Sequence, residues 1–355
     1  MSRFFSEKFA GLTAYTPGEQ PKDRRYIKLN TNESPYAPPT AVVEAARKAT
    51  ENAQLYCDPT CSLLVKKLAE QLDVAEDMLL PTNGSDEILN FAFMAFCDKN
   101  TPVVFPDISY GFYSVFAKLY NIPYRAVPLK EDFSIDYRDY INAEGMVVIA
   151  NPNAPTGMSL TAEEVEKIVV GNPDNVVVID EAYVDFGGES VVALTKKYEN
   201  LLVTQTFSKS RSLAGARLGF GVGNAKLIAD LNTIKYSTNP YNVNSMTAAA
   251  GYAALCNQAY FDKNALEICQ MREYVASQLS ELGFEVLPSK TNFLFVRSGE
   301  ISGQALYERL REKGVLVRHF TAERIVEFNR VTIGTKAEME IFLERVREIL
   351  QDEKR

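Results

Sequence analysis

Four short apolar runs constrain this chain most: Pro102-Val-Val-Phe105, Met146-Val-Val-Ile-Ala150, Val176-Val-Val-Ile179 and Leu201-Leu-Val203. They are rich in β-branched residues and mostly do not alternate with polar ones, as in parallel strands covered on both faces. Helical patterns separate some of them. One opens on Thr161-Ala-Glu-Glu164, the form of a capping box, and stops at Gly171-Asn-Pro173. This alternation predicts an α/β fold with a mainly parallel sheet. In open sheets of that kind ligands sit beyond the carboxyl ends of the strands.

Each run ends in residues able to do chemistry. Phe105 is followed by Pro-Asp-Ile-Ser-Tyr110, and Ala150 by Asn151-Pro-Asn-Ala-Pro-Thr-Gly157. Ile179 is followed by Asp180-Glu-Ala-Tyr183, and Val203 by Thr204-Gln-Thr-Phe-Ser-Lys209. Polar clusters at four neighbouring strand ends predict one shared site. The last cluster is the most specific. Lys209 is flanked by hydroxyls at Thr206, Ser208, Ser210 and Ser212, and Arg217 follows. Burial at a strand end disfavours a lysine's charge and leaves a nucleophilic amine. The hydroxyls and the guanidinium are donors suited to a phosphate. An amine beside a phosphate cradle suggests a phosphorylated aldehyde held as a Schiff base, namely pyridoxal phosphate. Taken alone, the stretch fits a solvated surface lysine equally well.

A second anion-binding candidate follows the short run at 78–81. There Asn83-Gly84-Ser85 opens a helix. Backbone N–H groups at a helix start bind anions, and glycine lets a phosphate approach. Asp86 and Glu87 suit the helix dipole but repel a phosphate unless they point away.

The remainder narrows the function classes. The chain has 355 residues, 46% hydrophobic and 24% charged, enough for a large core and two domains. A net charge of −8 argues against nucleic acid or an anionic membrane as partner. No apolar run reaches membrane-spanning length, and the N-terminus lacks the apolar segment of a signal peptide. The cysteines are odd in number and form no Cys-x-x-Cys pair, which fits reduced thiols in the cytoplasm. A single histidine, His319, leaves no basis for a His-rich metal site or a serine triad, and no metal is expected. Gly219-Phe-Gly-Val-Gly223 lacks the third glycine of a dinucleotide loop, and no Walker A loop is present.

Residues 1–40, rich in Pro, Gly and Asn, read as an irregular arm. Residues 41–245 form the predicted large domain. Residues 246–355 form a smaller α+β domain that closes on a helix with Met339, Phe342, Val346 and Ile349 on one face. Arg318 and Arg330 each fall in a strand-like run of that domain. Such an arginine faces a partner or ligand, or lies in solvent at a strand edge.

These motifs, with Tyr15-Thr-Pro-Gly18, Leu29-Asn-Thr-Asn-Glu-Ser-Pro-Tyr-Ala-Pro-Pro39 and Asn329-Arg-Val-Thr-Ile-Gly334, span nearly the whole chain. In order and spacing the chain resembles the fold-type I pyridoxal-phosphate aminotransferases, and among them the histidinol-phosphate aminotransferase branch. The resemblance implies pyridoxal 5′-phosphate as cofactor. It implies exchange of an amino group between histidinol phosphate and 2-oxoglutarate, giving imidazole-acetol phosphate and glutamate, in histidine biosynthesis. A threonine-phosphate decarboxylase, or an aromatic or other amino-acid aminotransferase, shares most of these motifs. Lys209 resembles the Schiff-base lysine, Asp180 the partner of the pyridine nitrogen, and Tyr183 the donor to the ring 3′-oxygen. Gly84, Ser85, Asp86, Thr206, Ser208 and Arg217 match the cofactor's phosphate region. Tyr110 resembles the aromatic that stacks on the ring. Tyr56 resembles the aromatic that reaches the partner subunit's phosphate, which implies a homodimer with shared sites. Tyr15, Asn32, Arg318 and Arg330 resemble substrate-pocket residues. Many relatives carry Asn directly before Pro-Thr-Gly, where this chain has Ala154. Either Asn153 supplies that contact to the 3′-oxygen or the contact is lost.

Overall fold

The computed structural model describes residues 2–9, 11, 12, 14 and 17–353. Its strands are β1 (Ile27–Lys28), β2 (Leu79–Thr82), β3 (Val103–Pro106), β4 (Tyr124–Val127), β5 (Met146–Ala150), β6 (Val177–Asp180), β7 (Leu201–Thr206), β8 (Gly219–Gly223), β9 (Phe284–Val286), β10 (Phe293–Ser298), β11 (Val315–Leu316), β12 (Arg318–His319) and β13 (Asn329–Thr332). Its α-helices are α1 (Thr40–Ala49), α2 (Ser62–Leu72), α3 (Ser85–Phe96), α4 (Phe112–Tyr120), α5 (Ala162–Val170), α6 (Ala225–Thr238), α7 (Ser245–Cys256), α8 (Gln258–Glu281), α9 (Gly303–Glu312) and α10 (Lys336–Glu353).

The predicted parallel strands assemble in one seven-stranded sheet of order β2-β8-β7-β6-β5-β3-β4. The run from β7 to β4 is parallel, and β8 lies antiparallel between β7 and β2. The apolar runs are continuous because each face of the sheet is covered. On one face Val147, Ile149, Ile179 and Val203 meet Leu64 and Leu68 of α2, Val165 and Ile168 of α5, and Ala250 and Ala254 of α7. On the other, Val148, Val178 and Leu202 meet Ile88 of α3, Phe116 of α4 and Leu231 of α6. The expected capping box starts α5: Thr161 Oγ1 accepts from Glu164 N, and the Glu164 carboxylate accepts from Thr161 N.

The glycine-rich run 219–223 is β8, and Gly219 and Gly221 serve close packing. A Cβ on Gly221 would lie 2.8 Å from the Ile88 side chain of α3, and one on Gly219 would lie 2.4 Å from the backbone N of Ser85. The missing side chains let the start of α3 settle against the sheet, which sets the geometry of the site below.

A second, antiparallel sheet has the order β12-β13-β10-β9. Its Leu294, Val296 and Val331 pack with Val275 and Leu279 of α8, Leu306 and Leu310 of α9, and Met339, Phe342 and Val346 of α10. The arm is tied to this unit: β1 pairs in parallel with β11, and Leu29 joins its core. Ile108, Leu129 and Phe133 of the sheet-bearing unit meet Phe295, Ile325 and Phe328 of the smaller one in an apolar seam. Among the described residues no helix is long and apolar enough to cross a membrane.

Candidate active site

The loops after β2, β3, β5, β6 and β7 meet around one cavity of about 140 Å³. Lys209, three residues beyond β7, reaches it half-buried, its Nζ 5.6 Å from the centre of the Tyr183 ring. Ser85, Thr206, Ser208 and Arg217 line the cavity too. Gly84 has φ +80°, and a Cβ there would come within 2.7 Å of Arg217 Nη2. Glycine therefore lets the guanidinium lie against the first turn of α3, where N–H groups and positive charge converge on any anion.

The acidic residues of that turn split in direction. The Glu87 carboxylate turns away and accepts from Asn83 N at 2.7 Å and from Asn242 Nδ2 at 2.5 Å. Asp86 faces the cavity, but Arg217 Nη2 stands 2.9 Å from its Oδ2 and the Tyr110 hydroxyl donates to its Oδ1 at 2.7 Å. Asp86 is thus compensated where an anion would bind.

Asp180 also lines the cavity, with 4% exposure. Burial pushes its carboxyl up to about 6, against the hydrogen bond from Tyr113. A buried carboxylate with this cost of ionisation suits a cationic group brought in by a ligand. Beside it, the Tyr183 hydroxyl accepts from Asn32 Nδ2 at 2.9 Å, while Asn32 Oδ1 accepts from Thr332 Oγ1 at 2.9 Å. Asn32 ties the arm to both units at the site.

The cavity opens past Tyr110, Ala154, Tyr183 and Lys209 into an outer cleft of about 370 Å³, also lined by Asn32, Phe320, Arg318 and Arg330. The larger outer space, with two guanidinium groups, fits the anionic remainder of a substrate whose reactive carbon lies at Lys209. The Arg330 guanidinium lies 5.2 Å from the Phe293 ring centre and donates from Nη2 to Asn30 O at 3.1 Å.

Most residues singled out in the sequence thus converge. Asn153 does not line the cavity: its Nδ2 donates to Ile108 O and Thr156 Oγ1, and its Oδ1 accepts from Ser109 Oγ. Ala154 forms the wall instead. Tyr56 lies outside this chain's own cavity, 84% exposed and stacked on Tyr241 at 4.5 Å. Tyr15 falls outside the described residues. One neighbour was missed. The hydroxyl of Tyr113, fully enclosed, donates to Asp180 Oδ2 at 3.0 Å. Its only sequence signal was its spacing of three from Tyr110 at a helix start.

Comparison with known proteins gives the family. Residues 24–346 match the family described as aminotransferase class I and II. The chain is 48% identical over 354 residues to the histidinol-phosphate aminotransferase of Brachyspira hyodysenteriae, covering 99% of this chain and 100% of that one. It is 47% identical to the histidinol-phosphate aminotransferase of Clostridium beijerinckii, covering 99% of each. In fold it is similar to the histidinol-phosphate aminotransferase from Sinorhizobium meliloti solved in complex with pyridoxal-5′-phosphate, with a TM-score of 0.86, 24% identity, and 93% and 92% of the two chains covered. The chain belongs to the class I and II aminotransferases, in the branch of the histidinol-phosphate aminotransferases.

Proposed function

We propose that this chain exchanges an amino group between histidinol phosphate and 2-oxoglutarate, with pyridoxal phosphate as cofactor. The observation that carries the reading is the position of Lys209. Its amine lies in one cavity with a set of hydroxyls, a guanidinium and a buried carboxylate, and that cavity adjoins a cleft holding two arginines. The residues present fit the cofactor: Gly84 lets Arg217 lie against the first turn of α3, where guanidinium and hydroxyls suit its phosphate, and buried Asp180 suits its ring nitrogen.

Ser85, Ser208 and Arg217, with Thr206 beside them, would hold the phosphate, Lys209 the aldehyde carbon, and Tyr183 the ring oxygen. When bound, pyridoxal phosphate supplies an electron sink that eases removal of the substrate's Cα proton. The chain's own groups do the rest. The Lys209 amine would be the base that takes and returns that proton. Asn32 donates to the Tyr183 hydroxyl oxygen, which leaves the phenolic proton to point into the cavity. Asp180 would pair with the ring nitrogen. Arg330 and Arg318 anchor the substrate's phosphate or carboxylate, and Tyr110 and Phe320 narrow the way in for water.

The reading extends to a homodimer, in which exposed Tyr56 reaches the partner subunit's phosphate cup, and to a cytoplasmic location. It includes an arm (1–40), a large unit (41–245) and a small unit (246–355), with the cleft at their seam. Helix α7, at the start of the small unit, packs on the core of the large one.

The test is a visible spectrum of the purified protein with pyridoxal phosphate. Histidinol phosphate and glutamate, each added singly, should bleach the lysine-linked absorbance. Threonine phosphate should release no CO₂. Release of CO₂ would reassign the protein as a decarboxylase, and a protein that takes up no pyridoxal phosphate would end the proposal.

A further inference from the structure

Asp180 is held at both oxygens. Oδ1 accepts from the backbone N–H of Ala182 at 3.2 Å, and Oδ2 accepts from the Tyr113 hydroxyl at 3.0 Å. Tyr113 lies in the first turn of α4 and is fully enclosed. Its ring packs in an apolar cluster with Phe105, Phe93 and Phe116. A phenylalanine would satisfy that packing as well. A hydroxyl buried there is unfavourable unless it finds a partner, and the partner it has is the acid of the candidate site. Three residues earlier, before the helix starts, Tyr110 meets the Tyr113 ring edge-on, centroids 5.7 Å apart, and its own hydroxyl reaches Asp86. The spacing of three puts both rings on one side of the chain, one forming the cavity wall and the other standing behind Asp180.

We propose that Tyr113 is a positioning residue: its hydroxyl fixes the orientation of the Asp180 carboxylate and keeps it charged for the cofactor's ring nitrogen. This rests on the reading of Asp180 as the ring-nitrogen partner. The groups that act on Asp180 come from every element around it. Burial opposes its ionisation most. The Tyr113 hydroxyl from α4 favours ionisation, Asp86 from α3 opposes it, and Ala182 N and Lys209 favour it. Tyr113 is the largest of the favourable influences. The reciprocal effect holds the phenol protonated: burial and the Asp180 charge push it well above its ordinary range. The hydroxyl therefore remains a donor throughout the working pH range.

The test compares Tyr113→Phe with wild type in two states. Without cofactor, losing the donor raises Asp180 further above its unfolded value. The deficit in Tm should then widen between about pH 5 and about pH 8, where the carboxylate must be charged. A purely structural role gives the same deficit at every pH, and that result would overturn the proposal. With cofactor, the dissociation constant for pyridoxal phosphate should rise by roughly tenfold or more, the scale of a lost hydrogen bond to a charged group. An unchanged constant would also overturn it. If the phenylalanine variant does not fold, a ring-fluorinated tyrosine at position 113 keeps the packing and strengthens the donor. It should tighten cofactor binding, and weaker or equal binding counts against the proposal. A wild-type protein that binds no pyridoxal phosphate overturns the cofactor reading and the catalytic half of this inference, while the pH comparison still decides whether the hydrogen bond holds Asp180 charged.

Discussion

Arg318 and Arg330 are direct cross-strand partners on the antiparallel strands β12 and β13, and both line the outer cleft. Like charges placed opposite each other on a sheet are unfavourable. Here aromatic faces offset part of the repulsion, since the Phe320 ring centre lies 5.9 Å from each guanidinium. An anion bound between the two would remove the rest. The pair is therefore better explained by ligand binding than by stability.

Arg330→Ala should lower kcat/KM for histidinol phosphate and for glutamate together, because both anions use the same anchor. Truncating one partner of a buried charge pair costs about 2–5 kcal/mol, or roughly thirty- to several-thousandfold. The Tm should change little. Steady-state kinetics with each donor decides, and unchanged values for both would remove Arg330 from the site.

Gly219→Ala tests how the phosphate end is built. The added Cβ would meet Ser85 N at 2.4 Å, Gly84 C at 2.6 Å and Gln205 O at 3.0 Å, all of them backbone atoms. Relief requires the first turn of α3 to move away from Arg217. The expected outcome is a loss of about 1–3 kcal/mol in stability with weaker binding of pyridoxal phosphate. Gly223→Ala, on the same strand, meets nothing nearer than 3.3 Å and lies away from the site, so it should spare cofactor affinity. Equal affinity losses in the two variants would show that the close approach at Gly219 does not shape the cup.

The elements legible in the sequence are those whose cause is local. The capping box at Thr161 closes within four residues, and the β-branched runs declare two covered faces without reference to the helices that cover them. Lys209, Asp180, Tyr110 and Ser85 were visible because each lies at or just beyond a strand end, and strand order in a parallel sheet brings such ends together. What stayed hidden depends on distant partners. Gly219 and Gly221 of β8 answer to the start of α3, more than a hundred positions earlier in the chain, so the run looked like a failed nucleotide loop. Tyr113 carries the apolar spacing of a core helix, and only the fold sets its hydroxyl against Asp180. Asn32 meets Thr332 across 300 positions and Tyr183 across 151. Whether Asn153 or Ala154 faces the cavity was decided by the path of the loop after β5.

Tyr56 offers a test of shared sites. Its side chain is 84% exposed and stacks on Tyr241, so Tyr56→Ala should leave the fold of each subunit intact. If the partner subunit completes each site, mixing Tyr56→Ala with Lys209→Ala restores one whole site per mixed dimer. Activity should then rise to about a quarter of wild type after subunit exchange, well above the sum of the parents. A mixture no more active than its parents would show that Tyr56 does not act across an interface.

Glu181 makes the pH dependence of stability assignable. It is 2% exposed, and its carboxylate accepts from Val191 N at 2.6 Å, Gln205 Nε2 at 2.7 Å and Ser190 Oγ at 2.8 Å. Burial pushes it up to about 7, and those three donors hold it from rising further. The unfolded value is about 4.3. Because the folded value is the higher one, the stability from this group is fully present below about pH 4 and is lost as pH rises through about 7. The loss amounts to roughly 4 kcal/mol at alkaline pH, or several degrees in Tm. Glu181→Gln removes the charge at nearly constant shape, and the Ser190 hydroxyl and Gln205 amide can each turn to present an acceptor. Asp180 titrates nearby, so the comparison belongs to cofactor-free protein, variant against wild type, at about pH 5 and about pH 8. The variant should lose less Tm across that interval. Identical slopes would mean that the Glu181 carboxylate is held as an anion by its donors at no cost to the fold.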